Sequence, residues 1–426
     1  MKHGFLFLFS AAVLLTACST SDDSTTTPIP ESQDRAQINL NLSMPKVVTK
    51  SVSSSRAVGT VGDIEGTNNV WAGEVVHIAM MDKGKLTYAK ELDANGNATT
   101  EPIYEWASMN TPEAVDSGLA TRSDHYVKYY PVLGNYDFWG YYADDAATGA
   151  PAIDNTYGNY MVLPFQIDGS QDLMTAKAEL TPAQKALMDD QGSNSNRYYS
   201  AFSARRKNDL VPDGVQPIMT FNHQLTRLKF HIKAADSLTA DPVNGVQVTG
   251  IAVRSKNKGN LIIAYNDYTD YTQSSNLALF TTKDSDSLCL KQRPVVDGKV
   301  MRNQQLVDLT PVSPKWNSTT NQSDTVNVGE ALLVAPQESY NIFVAIKQYV
   351  MTRGAYTDAD GTAHAAEYDW KTVIVPATIH RSDPSQKFVK GVSYNVYITL
   401  HGLEKIDVVT KLGAWIEGED IDLDLE

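Results

Sequence analysis

Two cysteines in 426 residues leave this chain almost without disulfide chemistry. A chain of this length and so poor in cysteine has to be held by apolar cores instead. Cys289, in Ser287-Leu288-Cys289-Leu290, has no activating neighbour in sequence and reads as a core or half-buried strand residue, not a nucleophile. Long apolar runs are lacking after residue 17, so no later segment reads as a membrane-spanning helix. Positive charge is in deficit: 36 Lys and Arg face 50 Asp and Glu, for a net charge of -14, which disfavours nucleic acid and anionic lipid as partners. Signatures of chemistry are missing too. No His-Glu-x-x-His, Cys-x-x-Cys, Walker loop or Gly-x-Ser-x-Gly occurs. The 8 histidines are scattered, and His223 and His231 share a strand too far apart to hold one ion. Asp358-Ala359-Asp360-Gly361 opens like a calcium loop but lacks the later ligands, so it reads as a hairpin turn. Carboxylates are plentiful, but none is marked out as an acid/base pair. These absences point away from an enzyme, and no cofactor is expected.

What is present begins with Met1-Lys2-His3 and the apolar stretches Phe5–Phe9 and Ala11–Leu15. A short basic start and an apolar stretch too short for a lasting membrane helix predict a signal peptide over 1–17. It ends Leu15-Thr16-Ala17-Cys18, which resembles the lipobox of bacterial lipoproteins. Small residues fit a narrow peptidase pocket, and the Cys18 thiol can take a thioether-linked diacylglycerol. Cys18 is therefore expected to carry a covalent lipid that anchors the mature protein to a membrane. Residues 19–34 are polar and Pro-containing, the composition of a flexible tether. Asp22 and Asp23 resemble the surface-export signals of Bacteroides-type lipoproteins, and equally fit a plain solvated linker.

Beyond the tether the pattern is β. Residues 36–42 alternate strictly, with Ile38, Leu40 and Leu42 on one face and Gln37, Asn39 and Asn41 on the other. A second polar stretch, 49–57, isolates this strand. Residues 75–81 and 86–88 flank Asp82-Lys83-Gly84-Lys85 as a hairpin, and Asp93–Asn97 marks another turn. Tyr136–Tyr142 is an aromatic strand. One short helix is expected from the capping residues Thr181-Pro182-Ala183-Gln184. From Met219 to Ile232 the apolar phase is odd up to Leu225 and even from Leu228. Such a slip means a bulge or a strand that crosses between two sheets. Ile342–Ile346 reads as buried on both faces, and Val392, Tyr394, Val396, Ile398 and Leu400 alternate. Many short strands with Gly, Pro and Asn turns predict an all-β protein of β-sandwiches, with a domain boundary near 205–216. The 21 tyrosines, among them Tyr129-Tyr130 and Tyr141-Tyr142, fit core packing or, if exposed, stacking on sugars.

These residues together resemble the fimbrillin family of Bacteroidales, the type V pilins and their Mfa-like relatives. The resemblance rests on an ordered set. After the lipobox come Ser55-Arg56-Ala57 and Val70-Trp71-Ala72-Gly73-Glu74-Val75, then Asp172-Leu173-Met174-Thr175-Ala176. Phe221-Asn222-His223-Gln224-Leu225-Thr226-Arg227-Leu228, Val334-Ala335-Pro336-Gln337 and Lys390-Gly391-Val392-Ser393-Tyr394-Asn395-Val396-Tyr397 follow. Each motif alone is weak; the set spans most of the mature chain.

The resemblance implies two tandem transthyretin-like β-sandwich domains, here 57–210 and 211–426, behind a lipidated leader, 18–56. It implies a structural subunit of a surface fimbria that serves cell adhesion. An Arg-specific protease would cut between Arg56 and Ala57, release the leader with its strand 36–42, and open an apolar groove. Arg35 is a second candidate, although a cut there leaves the strand attached. A strand from another pilin subunit, of the same or a different kind, would fill the groove and build a fibre. Ile421, Leu423 and Leu425 alternate with acidic residues, as a donated strand or as an ordinary last strand of the second domain. The alternative is a surface lipoprotein that does not polymerise: a tip or anchor subunit, or a binder of a host ligand or glycan.

Overall fold

The protein is described by a computed structural model over residues 41–43, 76–92, 98–102, 117–119, 136–154, 159–179, 217–266, 269–297 without 282 and 284, 299–300, 305–402 without 382 and 384, and 406–413. These residues belong to one compact unit, Arg35–Glu426. Among them every regular element is a strand, so the all-β expectation holds. The signal peptide, Cys18, Arg35, Ile38, Leu40, Arg56, Ala57, the helix expected at Thr181 and the tail residues Ile421, Leu423 and Leu425 lie outside the described residues.

The largest layers are two four-stranded sheets. One orders Val326–Val334, Thr226–Ala234, Ser393–Leu400 and Ile406–Gly413. The other orders Ser285–Cys289, Val246–Lys256, Ser339–Arg353 and Glu367–His380. Period-two alternation drives both. Tyr394, Val396, Ile398 and Leu400 are buried, whereas Asn395, Tyr397 and Thr399 are only half-buried. Leu228, Phe230 and Ile232 share one hydrophobic core with Val246, Val248, Ile251, Ile342, Val344 and Ile346 of the second sheet. Each such side chain contributes roughly 1.5–3 kcal/mol through burial. Thr226–Ala234 runs parallel to Ser393–Leu400 and antiparallel to Val326–Val334, where the register shifts between Leu228 and Phe230. Gly329, at φ 61°, takes up that bulge in a conformation costly for any other residue.

Two sequence expectations are corrected here. Ile342–Ile346 is buried on one face only, since Phe343 and Ala345 are half-exposed and no layer of described residues buries the outer side. Cys289 is exposed, because in Ser285–Cys289 the alternation puts Leu288 inward instead.

A third sheet orders His77–Asp82, Tyr136–Tyr142, Met174–Lys177 and Asn222–His223. The aromatic strand lies in its interior with Phe138 and Trp139 buried on opposite faces. The expected hairpin forms at its edge. Gly84 takes the left-handed φ of 69°, and the buried Asp137 carboxylate accepts the Gly84 N–H at 3.0 Å. A fourth sheet orders Ala152–Ile153, Tyr160–Gln166, Lys258–Tyr265 and Ala278–Phe280. It draws strands from both sides of residue 211, and its buried residues join the same core.

Candidate functional site

Three residues of the expected leader form a strand. Asn41–Ser43 is the middle strand of a three-stranded sheet. It pairs antiparallel with Ser117–Leu119, Leu42 lying opposite Gly118, and parallel with Ile218–Thr220, Leu42 lying opposite Met219. Of the leader residues expected to alternate, Leu42 is therefore in a strand, and that strand reaches one residue further, to Ser43. Its two neighbours come from either side of residue 211. A middle strand satisfies backbone groups on both flanks, so its loss exposes two strand edges at once.

The neighbour Ile218–Thr220 is anchored from behind. Met219 and Phe221 are fully buried. Both close on Gly140 of the aromatic strand, where a Cβ would lie 2.7 Å from Phe221 Cζ and 2.9 Å from Met219 Cε. Only glycine admits that approach without displacement. Met219 also bridges to Ala178.

From Ile218 the chain crosses three sheets in seventeen residues: Ile218–Thr220, Asn222–His223 and Thr226–Ala234 each pair in a different one. This is the phase slip seen in the sequence, resolved as a crossing strand. The crossing is pinned by a buried polar cluster. Gln224 is fully buried with every hydrogen-bonding position of its amide used. Its Nε2 donates to Thr175 Oγ1 at 2.8 Å and to the Asn222 carbonyl at 3.0 Å. Its Oε1 accepts from the Leu277 N–H at 3.1 Å and from Lys390 Nζ at 3.0 Å. Its own N–H donates to the Leu173 carbonyl at 2.7 Å. Beside it, His223 Nδ1 lies 2.7 Å from Asp172 Oδ2, with both side chains buried. Thr226 Oγ1 donates to the Val389 carbonyl at 2.9 Å, and the buried Arg227 donates from Nη1 to Ser393 Oγ at 3.1 Å.

Lys390 completes the cluster, donating also to the carbonyls of Gln273 and Ser275. Burial lowers its ammonium from the usual lysine range to about 8. Tyr340 donates to the Ala335 carbonyl at 2.8 Å, and burial pushes its phenol far up. Motifs that stand apart in the sequence thus meet at one place: Asp172–Ala176, Phe221–Leu228, Val334–Gln337 and Lys390–Tyr397. No signal in their spacing announced the contacts, because nothing local links a glutamine to a lysine 166 positions away.

The hydrogen bonds of the cluster tie these segments to one another. Among the described residues no group of three His, Cys, Asp or Glu could hold a metal ion. His231 sits between Asn327 Oδ1 at 2.7 Å and Asn395 Oδ1 at 3.1 Å, away from His223. Asp358 closes a hairpin: its carboxylate accepts the N–H groups of Asp360 and Thr362 at 3.1 and 2.8 Å, with Gly361 at φ 80°. Tyr142 is core, and Tyr141 stacks on His77 at 4.8 Å.

No protein-family model and no curated relative matches the chain. Solved structures do resemble it. A provisionally named cell adhesion protein of Bacteroides uniformis is 15% identical, with 90% of this chain and 99% of that one covered at a TM-score of 0.41. Another from Parabacteroides distasonis is 11% identical, with 91% and 98% covered at 0.39. The fimbrial anchor protein Mfa2 of Porphyromonas gingivalis is 10% identical, with 91% and 99% covered at 0.33.

Proposed function

We propose that this chain is a structural subunit of a bacterial surface fimbria, exported as a lipoprotein precursor and assembled by strand exchange. The observation that carries the proposal is the place of Asn41–Ser43 between Ser117–Leu119 and Ile218–Thr220. A cut after Arg56 would sever the leader from the rest of the chain. Departure of the strand would leave unpaired N–H and C=O groups on both flanks, a cost that an incoming strand relieves. A donor that reproduces the observed pairing runs in the same direction as Ile218–Thr220. The alternating tail with Ile421, Leu423 and Leu425 is the candidate donor from a neighbouring subunit. The lipid on Cys18 would hold the precursor at the outer membrane until the cut. Partners on this account are other pilin subunits and an Arg-specific protease, and the fibre would serve adhesion.

The test treats purified precursor with an Arg-specific protease and follows the product by N-terminal sequencing and electron microscopy. The expected result is a new N-terminus at Ala57 and fibres from the parent but not from Arg56→Ala. Clean cleavage at Arg56 without assembly, the C-terminal strand being intact, would overturn polymerisation.

A further inference from the structure

The sheet built around Thr226–Ala234 has a positively charged outer face on an acidic chain. Leu228, Phe230 and Ile232 point into the core, so Arg227, Lys229, His231 and Lys233 alternate onto the opposite face. Beside them stand Asn395, Tyr397 and Thr399 of Ser393–Leu400. His231 is clasped by Asn327 and Asn395 and stacks on Tyr397 at 4.8 Å, and Lys233 Nζ lies 5.4 Å from the same ring. Burial lowers the His231 imidazole, and the charges of Lys229 and Lys233 press it the same way. The two lysines themselves are only half-buried.

The face stays positive when its neighbours are counted. In the edge strand Ile406–Gly413, Lys411 stands opposite Asn395 and Asp407 opposite Thr399, and the two cancel. Glu330 is paired with Arg293 at 2.8 Å, and Asp324 stands opposite Lys315. Asp236, just past Ala234, accepts the Thr239 N–H at 2.7 Å. Arg227, Lys229 and Lys233 against Asp236 leave an excess of positive charge, on a chain of net charge -14.

The segment that follows this sheet has the opposite charge. Residues 414–426 carry Glu417, Glu419, Asp420, Asp422, Asp424 and Glu426, with no Lys, Arg or His. They continue from Gly413, which stands opposite Ser393, which in turn stands opposite Arg227. The segment therefore starts at the Arg227 end of the basic face. Lys233 lies about 20 Å further along at the rise of a strand. Fully extended, the segment reaches about 43 Å, enough to cover the face. Extended chain also puts the acids at 420, 422, 424 and 426 on one side and Ile421, Leu423 and Leu425 on the other. So short a tether keeps the local concentration on the order of millimolar, where ion pairs too weak to bind a separate chain suffice. We propose that the carboxylates of 414–426 dock on the Lys229–Lys233 face of their own subunit and hold the donor strand there until an acceptor groove competes for it. The competition rests on the strand-exchange reading; the docking does not.

The test uses the full chain carrying Arg56→Ala, in which the leader stays attached and exchange does not begin. Zero-length carbodiimide coupling at low protein concentration joins a lysine amine to a carboxylate that it touches, and peptide mass spectrometry maps the joins. The expected product is a monomer with Lys229 or Lys233 coupled to a carboxylate of 417–426. An Asp-specific endopeptidase then reads how often the segment is open, referenced to its rate on the isolated 414–426 peptide. Cleavage at Asp420, Asp422 and Asp424 is expected to run about fivefold faster in Lys229→Glu with Lys233→Glu, and in the parent at high salt, than in the parent at low salt. Glu417→Lys with Glu419→Lys, both beyond Gly413, is expected to act alike and keeps the test valid if the lysine variant unfolds. Absence of coupling to either lysine, or equal cleavage rates, would overturn the proposal. Coupling found only in dimers would overturn it in favour of a second copy. Fibres are not read, so a failure of strand exchange leaves this outcome standing.

Discussion

Lys390 Nζ donates to Gln224 Oε1 at 3.0 Å, joining segments 166 residues apart inside the protein. Neither residue is part of an ion pair there. The lysine is held by an amide and two backbone carbonyls, and the amide has no position left unused. Gln224 lies between Ile218–Thr220, which flanks Asn41–Ser43, and Thr226–Ala234, which enters the largest core. It is therefore the point where leader pairing and core packing are coupled.

Gln224→Leu tests that coupling. The side chain is apolar and of similar size, so packing is largely kept. The Leu277 N–H, the Asn222 carbonyl, Thr175 and Lys390 each lose a partner. Buried groups left unpaired cost about 1–3 kcal/mol each, with partial relief by relaxation. We expect a loss of about 3 kcal/mol in urea unfolding, seen as a lower midpoint at unchanged slope. A loss under about 1 kcal/mol would show that the cluster is dispensable.

Lys390 gives the stability a pH dependence of fixed sign. Its folded pKa, lowered by burial to about 8, lies below the free value of 10.5. Between these the unfolded chain binds more protons, so stability rises with pH from about 8 towards 10.5. Tyr136 and Tyr265 act the other way, since burial pushes both phenols from 10.0 up to about 12 and their contribution falls above pH 10. Denaturant midpoints measured from pH 7 to pH 10 should climb in the parent and climb less in Lys390→Met. Equal slopes in the two proteins would contradict the assignment.

Gly140→Ala should loosen the leader without touching it. The added methyl group must displace Phe221 and Met219, and Met219 lies opposite Leu42. Overpacking of this kind costs about 1–3 kcal/mol. Limited proteolysis should cut the leader faster in Gly140→Ala than in the parent. Unchanged leader protection, with the melting temperature also unchanged, would mean the neighbouring strand tolerates the methyl group.

Cys18→Ala should abolish the proposed acylation, and with it retention in the outer-membrane fraction, because the thioether would hold the chain there. Fractionation followed by mass spectrometry of the N-terminal peptide reads both. Full retention of the alanine variant would remove the lipoprotein assignment.

Much of the strand content was legible because period two is a local signal. Tyr136–Tyr142 stands where the sequence put it, and the alternation of Tyr394 to Leu400 sorts buried from half-buried side chains as expected. The phase slip before Leu228 was equally visible, although the sequence left a bulge and a sheet crossing open. Burial was less legible where the apolar run was continuous. Phe343 and Cys289 could have faced either way, and the neighbouring layer decided, not the residue type.

By itself the sequence determined that Tyr136–Tyr142 and the run from Tyr394 to Leu400 would be strands, where turns such as Asp82–Lys85 would close, and that 36–42 had the alternation of a strand set in a polar stretch. Those properties depend on side chains two to four positions apart. Only the tertiary structure decided which strands would neighbour Asn41–Ser43, that one of them would run parallel to it, and that Gln224, Lys390, Asp172 and His223 would gather behind them. The physical reason is that a polar group leaving water must find a partner wherever the fold brings one, and sequence distance places no bound on where that is.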